Sequence, residues 1–168
     1  FNNIYNALGK MLKLIGGQGF SIDDSLQERA FTIFRDIAKK IGVGALRYEL
    51  TRLDPLKMAI FDLDASLKLE GDTGPYLQYS YARMCSILRK AKSWKYESVK
   101  NLNEYEIELL KSIMDFPSIV EDAGKNLKPH LLCRYANKLA KTFNSFYQFC
   151  RVLKAEDKSV KNFRLSLV

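Results

Sequence analysis

An all-α helical bundle with a short extended segment near residues 58–63 is the fold class this sequence predicts, and three observations predict it. Apolar residues recur at three and four along the chain, most clearly from Leu26 to Ile41 and from Leu132 to Cys150, which is the spacing of one helix face. The gaps between such runs carry helix starters and breakers: Thr73 followed by Pro75, Asn103, and Pro117. Only one run looks like a strand. Met58 to Leu63, with Ile60-Phe61 between polar neighbours, is short and reads as extended chain rather than as part of a large sheet.

The elements follow in order. Residues 1–15 read as an amphipathic helix, broken by Gly16, Gly17 and Gly19, and Phe20-Ser21-Ile22 reads as a short extended piece. Asp23, Asp24 and Ser25 offer N-caps for a helix running to about Ile41, with Leu26, Ala30, Ile33, Phe34, Ile37 and Ile41 on its apolar face. Gly42 suits a C-terminal cap, a second short helix is expected near residues 43–53, and Asp54-Pro55 ends it. From Thr73 the chain reads helical, near 74–92, 104–115, 117–127, 130–150 and 156–168. The fourth of these carries Leu132, Ala136, Leu139, Phe143, Phe146 and Cys150 in a broad aromatic stripe, so it is expected to be the spine of the bundle.

The 168 residues are 47% hydrophobic and 27% charged, a globular composition large enough to bury a core without a metal or disulfide staple. No run approaches the length of apolar sequence that a membrane span needs, so no membrane partner is expected. The chain begins at Phe1 and reads as a piece of a longer polypeptide. Lys plus Arg exceed Asp plus Glu by 27 to 19, a formal charge of +8, which favours a polyanionic partner. Cys85, Cys133 and Cys150 are odd in number and widely spaced, as buried free thiols in a reducing compartment are. Together with the single histidine, His130, they assemble neither a zinc site nor a Cys/His catalytic pair, and His130 beside Pro129 reads as a helix-end residue.

The most informative stretch precedes and enters the first of the later helices. Gly71 and Gly74 suit a tight turn, Thr73 a cap and Pro75 a first helical turn. The helix then places Tyr76, Tyr79 and Arg83 on one face. Two phenols and a guanidinium side by side form a platform for unpaired bases, although an aromatic stripe at this spacing also describes a core. Beyond it, Arg89, Lys90, Lys92, Lys95 and Lys100 interleave with Trp94 and Tyr96, which suits a phosphate-binding patch and equally a solvated face. Gly16-Gly17-Gln18-Gly19 lacks the Lys-Ser/Thr of a phosphate loop. Asp62 and Asp64 read as turn caps rather than as a catalytic carboxylate pair. Nothing here forms a self-sufficient catalytic site.

Several strings resemble arginyl-tRNA synthetases, in the order of that family. They are Ile41-Gly42-Val43-Gly44-Ala45-Leu46-Arg47-Tyr48; Ile60-Phe61-Asp62-Leu63-Asp64; Leu69-Glu70-Gly71-Asp72-Thr73-Gly74-Pro75-Tyr76-Leu77-Gln78-Tyr79; and Phe143-Asn144-Ser145-Phe146-Tyr147 with Val152-Leu153 and Arg164-Leu165. The likeness covers roughly residues 24–168, with Gly44 where the motif that names the DALR domain has Asp. It implies residues 1–70 as the tail of the catalytic and stem-contact region and residues 71–168 as a DALR anticodon-binding bundle.

Carried over position by position, the resemblance implies that Tyr76, Tyr79 and Arg83 meet the anticodon loop of an arginine tRNA, with Tyr135 packing toward the same loop. Asn144 reads as a structural hydrogen-bonding residue. The whole enzyme would use ATP and Mg²⁺, but this segment carries neither the HIGH-type signature nor a complete KMSKS-type loop, Gly9-Lys10-Met11-Leu12-Lys13 being at most a remnant. The resemblance places the parent in the cytoplasm or an organellar matrix. A rival expectation is a synthetase-derived, catalytically inactive RNA-binding or scaffold subunit of a larger assembly, a tRNA-modifying complex or a ribonucleoprotein.

Overall fold

The computed structural model describes residues 24–58 and 61–168, and the chain divides into two compact units, Phe1–Val43 and Gly44–Val168. The expected helix over 1–15, the glycine cluster, the KMSKS-like remnant and the extended piece at 20–22 lie outside the described residues.

Helix α1 (Asp24–Thr51) is one continuous element, not two. Gly42 does not cap it, and the chain passes through Gly42, Val43 and Gly44 in helical conformation. An interior glycine costs a helix about 1 kcal/mol, which is not enough to end this one. In the first unit, α1 carries Phe31, Ile33, Phe34, Ile37 and Ile41 exposed. In the second, Ala45, Tyr48 and Glu49 are buried.

The short helix α2 (Leu63–Ser66) is capped by Asp62, whose carboxylate accepts from the Ala65 N–H at 3.0 Å, as its reading as a turn cap anticipates. Asp62 keeps extended dihedrals (φ −117°, ψ 111°), but Leu63, expected to close the extended segment, opens this helix instead. Ala59 and Ile60 lie outside the described residues. Among the described residues there is no strand.

Five helices follow: α3 (Gly74–Ala91), α4 (Glu104–Met114), α5 (Phe116–Lys125), α6 (His130–Phe149) and α7 (Lys158–Leu167). Each expected boundary falls within two residues of the observed one, because caps set them. Asn103 and Glu106 form a reciprocal capping box at the start of α4. Asp115 alone separates α4 from α5, ending one and beginning the other, and Pro117 sits in the first turn, where its missing N–H costs nothing. Asp157 caps α7 through the N–H groups of Ser159 and Val160.

Helix α6 is the spine: α3, α4 and α5 all pack against it. Its Phe143 and Phe146 are fully buried together with Ile87 of α3, Leu109 of α4 and Leu165 of α7. Burying such side chains stabilises by roughly 1.5–3 kcal/mol each. Leu132, at the start of the expected stripe, is instead exposed, because the stripe meets the core only from its second turn on. Glu106 couples the capping box to α7: Arg164 Nε donates to its Oε1 at 2.7 Å, and the Asn103 N–H donates to its Oε2 at 2.9 Å. Cys150 is buried beside Asn103, and burial pushes its thiol pKa up. Cys85 and Cys133, expected to be buried, are only half-buried, since each lies at the edge of its helix's packed face.

Candidate nucleic-acid interface

Helix α3 is fixed in place at its first turn. The Thr73 hydroxyl accepts from the Tyr76 N–H at 3.2 Å and donates to the Lys68 carbonyl at 2.6 Å. Gly71 takes φ +83°, the left-handed conformation that glycine adopts without strain, and its carbonyl accepts from Asn137 Nδ2 at 3.0 Å. Gly74 has a different use from the turn expected of it. A Cβ there would lie 2.9 Å from the Ala45 Cα and 3.0 Å from the Gly44 carbonyl, so it lets α3 start directly against α1. Nearby, Tyr48 Oη donates to Asp72 at 2.5 Å and lies 3.3 Å from the Cys133 carbonyl. Burial, reinforced by the Asp72 carboxylate, raises the Tyr48 pKa far above that of a free phenol.

Anchored in this way, α3 brings three of the expected residues together, and Asn144 of α6 joins them. Arg83 Nη1 donates to Asn144 Oδ1 and Nη2 donates to Tyr79 Oη, both at 2.6 Å. Asn144 Nδ2 donates to Tyr76 Oη and to Ser80 Oγ, both at 2.9 Å. Asn144 thus is the structural hydrogen-bonding residue its polar place in an apolar stripe suggests, and what it organises is this face. Tyr76, half-buried, turns its hydroxyl into the network. Tyr79 is exposed.

The guanidinium of Arg83 lies between two rings, its Cζ 4.7 Å from the centroid of Tyr79 and 5.2 Å from that of Tyr147 on α6, within cation–π reach of both. Among the described residues, two of its five N–H donors are engaged and three remain. The two exposed rings, Arg83, Ser86, Ile87 and Lys90 line a groove of about 310 Å³. Nothing in the local sequence marks Tyr147 as a member of this site. It enters because Asn144 and Tyr147 share one face of α6 at i, i+3, a signal that is readable only once α6 is known to lie along α3.

The other expected residues are placed differently. Tyr135 sits on α6 nine residues before Asn144, about 13 Å along the axis, with its ring tilted against Phe116 at 5.5 Å. It does not touch the Tyr79–Arg83 groove. Arg89, Lys90, Lys92 and Lys95 are all exposed, and Lys90 alone of the four lines the groove. His130 is the first residue of α6, buried, with Nε2 3.8 Å from Asp54 Oδ2. Among the described residues no cluster of His, Cys, Asp and Glu could hold a metal ion, and no helix is long and apolar enough to cross a membrane.

The sequence profile described as "DALR anticodon binding domain" matches residues 77–168. Proteins named arginine–tRNA ligase are similar along most of the chain. The one from Pyrococcus abyssi is 45% identical over 79% of this chain and 22% of its own length. That of Methanosarcina mazei is 36% identical over 93% and 29%. Among solved structures, arginyl-tRNA synthetase from Thermus thermophilus superposes with a TM-score of 0.72 at 35% identity, over 76% of this chain and 23% of that one. The Plasmodium falciparum enzyme gives 0.65 at 30% identity, over 85% and 27%. The chain therefore spans roughly a quarter of the length of the relatives it matches.

Proposed function

The chain belongs to the DALR anticodon-binding domain family, and on that premise we propose that it is the part of an arginine–tRNA ligase that grips the anticodon loop of an arginine tRNA. The observation that carries this reading is Arg83, held between the exposed rings of Tyr79 and Tyr147 by Asn144. A groove of about 310 Å³ beside it admits an unstacked base. The ring faces of Tyr79 and Tyr147 stack such a base, and the three spare donors of Arg83 meet acceptor atoms on its edge or on a phosphate. Lys90 supplies charge at the end of the groove. The chemistry of joining arginine to tRNA, with ATP and Mg²⁺, belongs to other parts of such a ligase. The segment described here contributes recognition.

The test is a Tyr79→Ala substitution. Tyr79 is exposed, so the thermal midpoint should hold, while a lost stacking contact of about 1–3 kcal/mol weakens affinity for arginine tRNA roughly 5- to 150-fold. Binding should also favour the native anticodon over a swapped one, and that preference should survive added salt. A Tyr79→Ala chain that melts early yet binds as before makes the ring a core element and removes the reading. Equal, salt-labile binding of both RNAs points instead to a synthetase-derived scaffold with a generic basic surface.

A further inference from the structure

From Thr73 through Tyr96 the chain contains no carboxylate, while Arg83, Arg89, Lys90, Lys92 and Lys95 fall within it. Arg89 and Lys90 occupy the last turn of α3, where a cation also complements the helix dipole. That explanation does not extend to Lys92 and Lys95, which lie beyond the helix. Among the described residues, none of Arg89, Lys90, Lys92 and Lys95 has an ion-pair partner.

The backbone at this point is unusual. Lys92 adopts φ 62°, ψ −63°, and the Ser93 N–H donates to the Ala91 carbonyl at 2.8 Å. This is the rarer and more strained of the two γ-turns, carried by a residue with a side chain. Four residues later the chain is pinned again: Glu97 accepts from Asn162 Nδ2 of α7 at 2.6 Å, and Val99 packs on the core. Between the turn and the pin, Trp94 is 36% exposed and Tyr96 69%, on either side of Lys95. A short segment fastened at both ends therefore presents one partly exposed and one largely exposed ring among unpaired cations. Aromatic faces interleaved with Lys and Arg are the surface that unpaired nucleotides bind.

We propose that the 92–96 segment is a second nucleotide-stacking platform, on which Trp94 and Tyr96 take unpaired bases of the same RNA that lie outside those held by the Tyr79–Arg83 groove, with Lys92 and Lys95 on the intervening phosphates. This rests on the reading of the chain as an RNA binder. Continuity comes from Lys90, which lines the groove and stands two residues before the turn. From Arg83 to Lys90 is about 10 Å along α3, so one strand lying along the helix reaches both sites.

Trp94 is the single tryptophan of the sequence, so its fluorescence reports this site alone. The full chain is titrated with an end-labelled stem-loop RNA carrying the arginine-tRNA anticodon loop, binding being followed in parallel by anisotropy of the label. Trp94 emission is expected to be quenched as RNA saturates. Trp94→Ala should weaken binding about 5- to 150-fold, and Trp94→Phe should restore most of the loss. Lys92→Ala with Lys95→Ala should flatten the dependence of log affinity on log salt by about 1–2. In Tyr79→Ala the RNA concentration needed rises while the final quenching stays the same. Saturated anisotropy with unchanged Trp94 emission overturns the second platform and leaves the groove standing. No anisotropy change at any RNA concentration overturns both.

Discussion

Arg83 and Asn144 are the pair on which the site turns, and they serve it in different ways. Arg83 spans from Asn144 to Tyr79 because a guanidinium is a planar fork. A lysine ammonium is a point charge and cannot hold both contacts. Arg83→Lys is therefore expected to leave the thermal midpoint within a few degrees and to weaken RNA binding about tenfold, measured by melting and by anisotropy on the same samples. Asn144→Ala removes the partner of Arg83 and of the Tyr76 hydroxyl, and costs about 1–3 kcal/mol of stability along with affinity. The two variants separate the roles proposed for them, Arg83 touching the RNA and Asn144 positioning Arg83. At this scale the sequence shows part of the cluster that the structure brings together around Arg83. Tyr76, Tyr79 and Arg83 are legible because three residues on one helix face need no knowledge of tertiary structure. Tyr147 is not, because its partner Arg83 lies 64 positions earlier, and only packing of α6 along α3 joins them.

Among the elements, the junction of α1 and α3 is the most demanding. Two glycines meet there and differ in what surrounds them. A Cβ on Gly74 would strike the backbone at Ala45 and Gly44 and the Tyr48 Cβ, at 2.9, 3.0 and 3.1 Å. One on Gly44 would meet the Nε2 end of Gln78 at 2.2 Å. Backbone cannot step aside, but the end of a side chain can. Gly74→Ala should therefore destabilise by about 1–3 kcal/mol. Gly44→Ala, which also relieves an interior helix glycine, should stay within about 1 kcal/mol of the parent. Denaturant unfolding of the two variants checks both. The same junction explains the one helix boundary that local signals misplace. Gly42 reads as a stop, whereas α1 runs through it and presents the backbone of Gly44 and Ala45 to Gly74 at the start of α3. Where a boundary depends on side chains that cap, as at Thr73, Asn103 and Asp157, it is legible in the sequence. Where a glycine makes room for another segment, it is not.

For the molecule as a whole, Tyr48 ties the end of α1 to the loop before α3 and to α6, and it does so as a neutral phenol. Folding raises its pKa, first through burial and then through Asp72. Below the unfolded pKa of about 10 both states keep the proton and the contribution to stability is complete. Above it, only the unfolded chain ionises, so stability falls as pH rises toward the folded pKa. Urea unfolding from about pH 8 to about pH 11 should show this decline, and Tyr48→Phe should flatten it while lowering stability at neutral pH. An equal decline in both chains assigns the alkaline loss to other tyrosines. Net charge and composition indicate at this scale that a polyanion is welcome. They do not reveal that Arg83 and Lys90 come to line one groove with Tyr147, which requires α6 to pack along α3.

The hydrogen bonds that hold Arg83 have a thermodynamic consequence. A free arginine side chain loses about 2 kcal/mol of rotamer entropy when it is immobilised. Here that loss falls on folding, since the hydrogen bonds from Arg83 to Asn144 and Tyr79 belong to the fold itself. On the proposed reading, RNA meets a side chain already at rest, and affinity becomes tied to how firmly α6 is seated: a change in the core beneath Asn144 would weaken RNA binding by letting Arg83 wander.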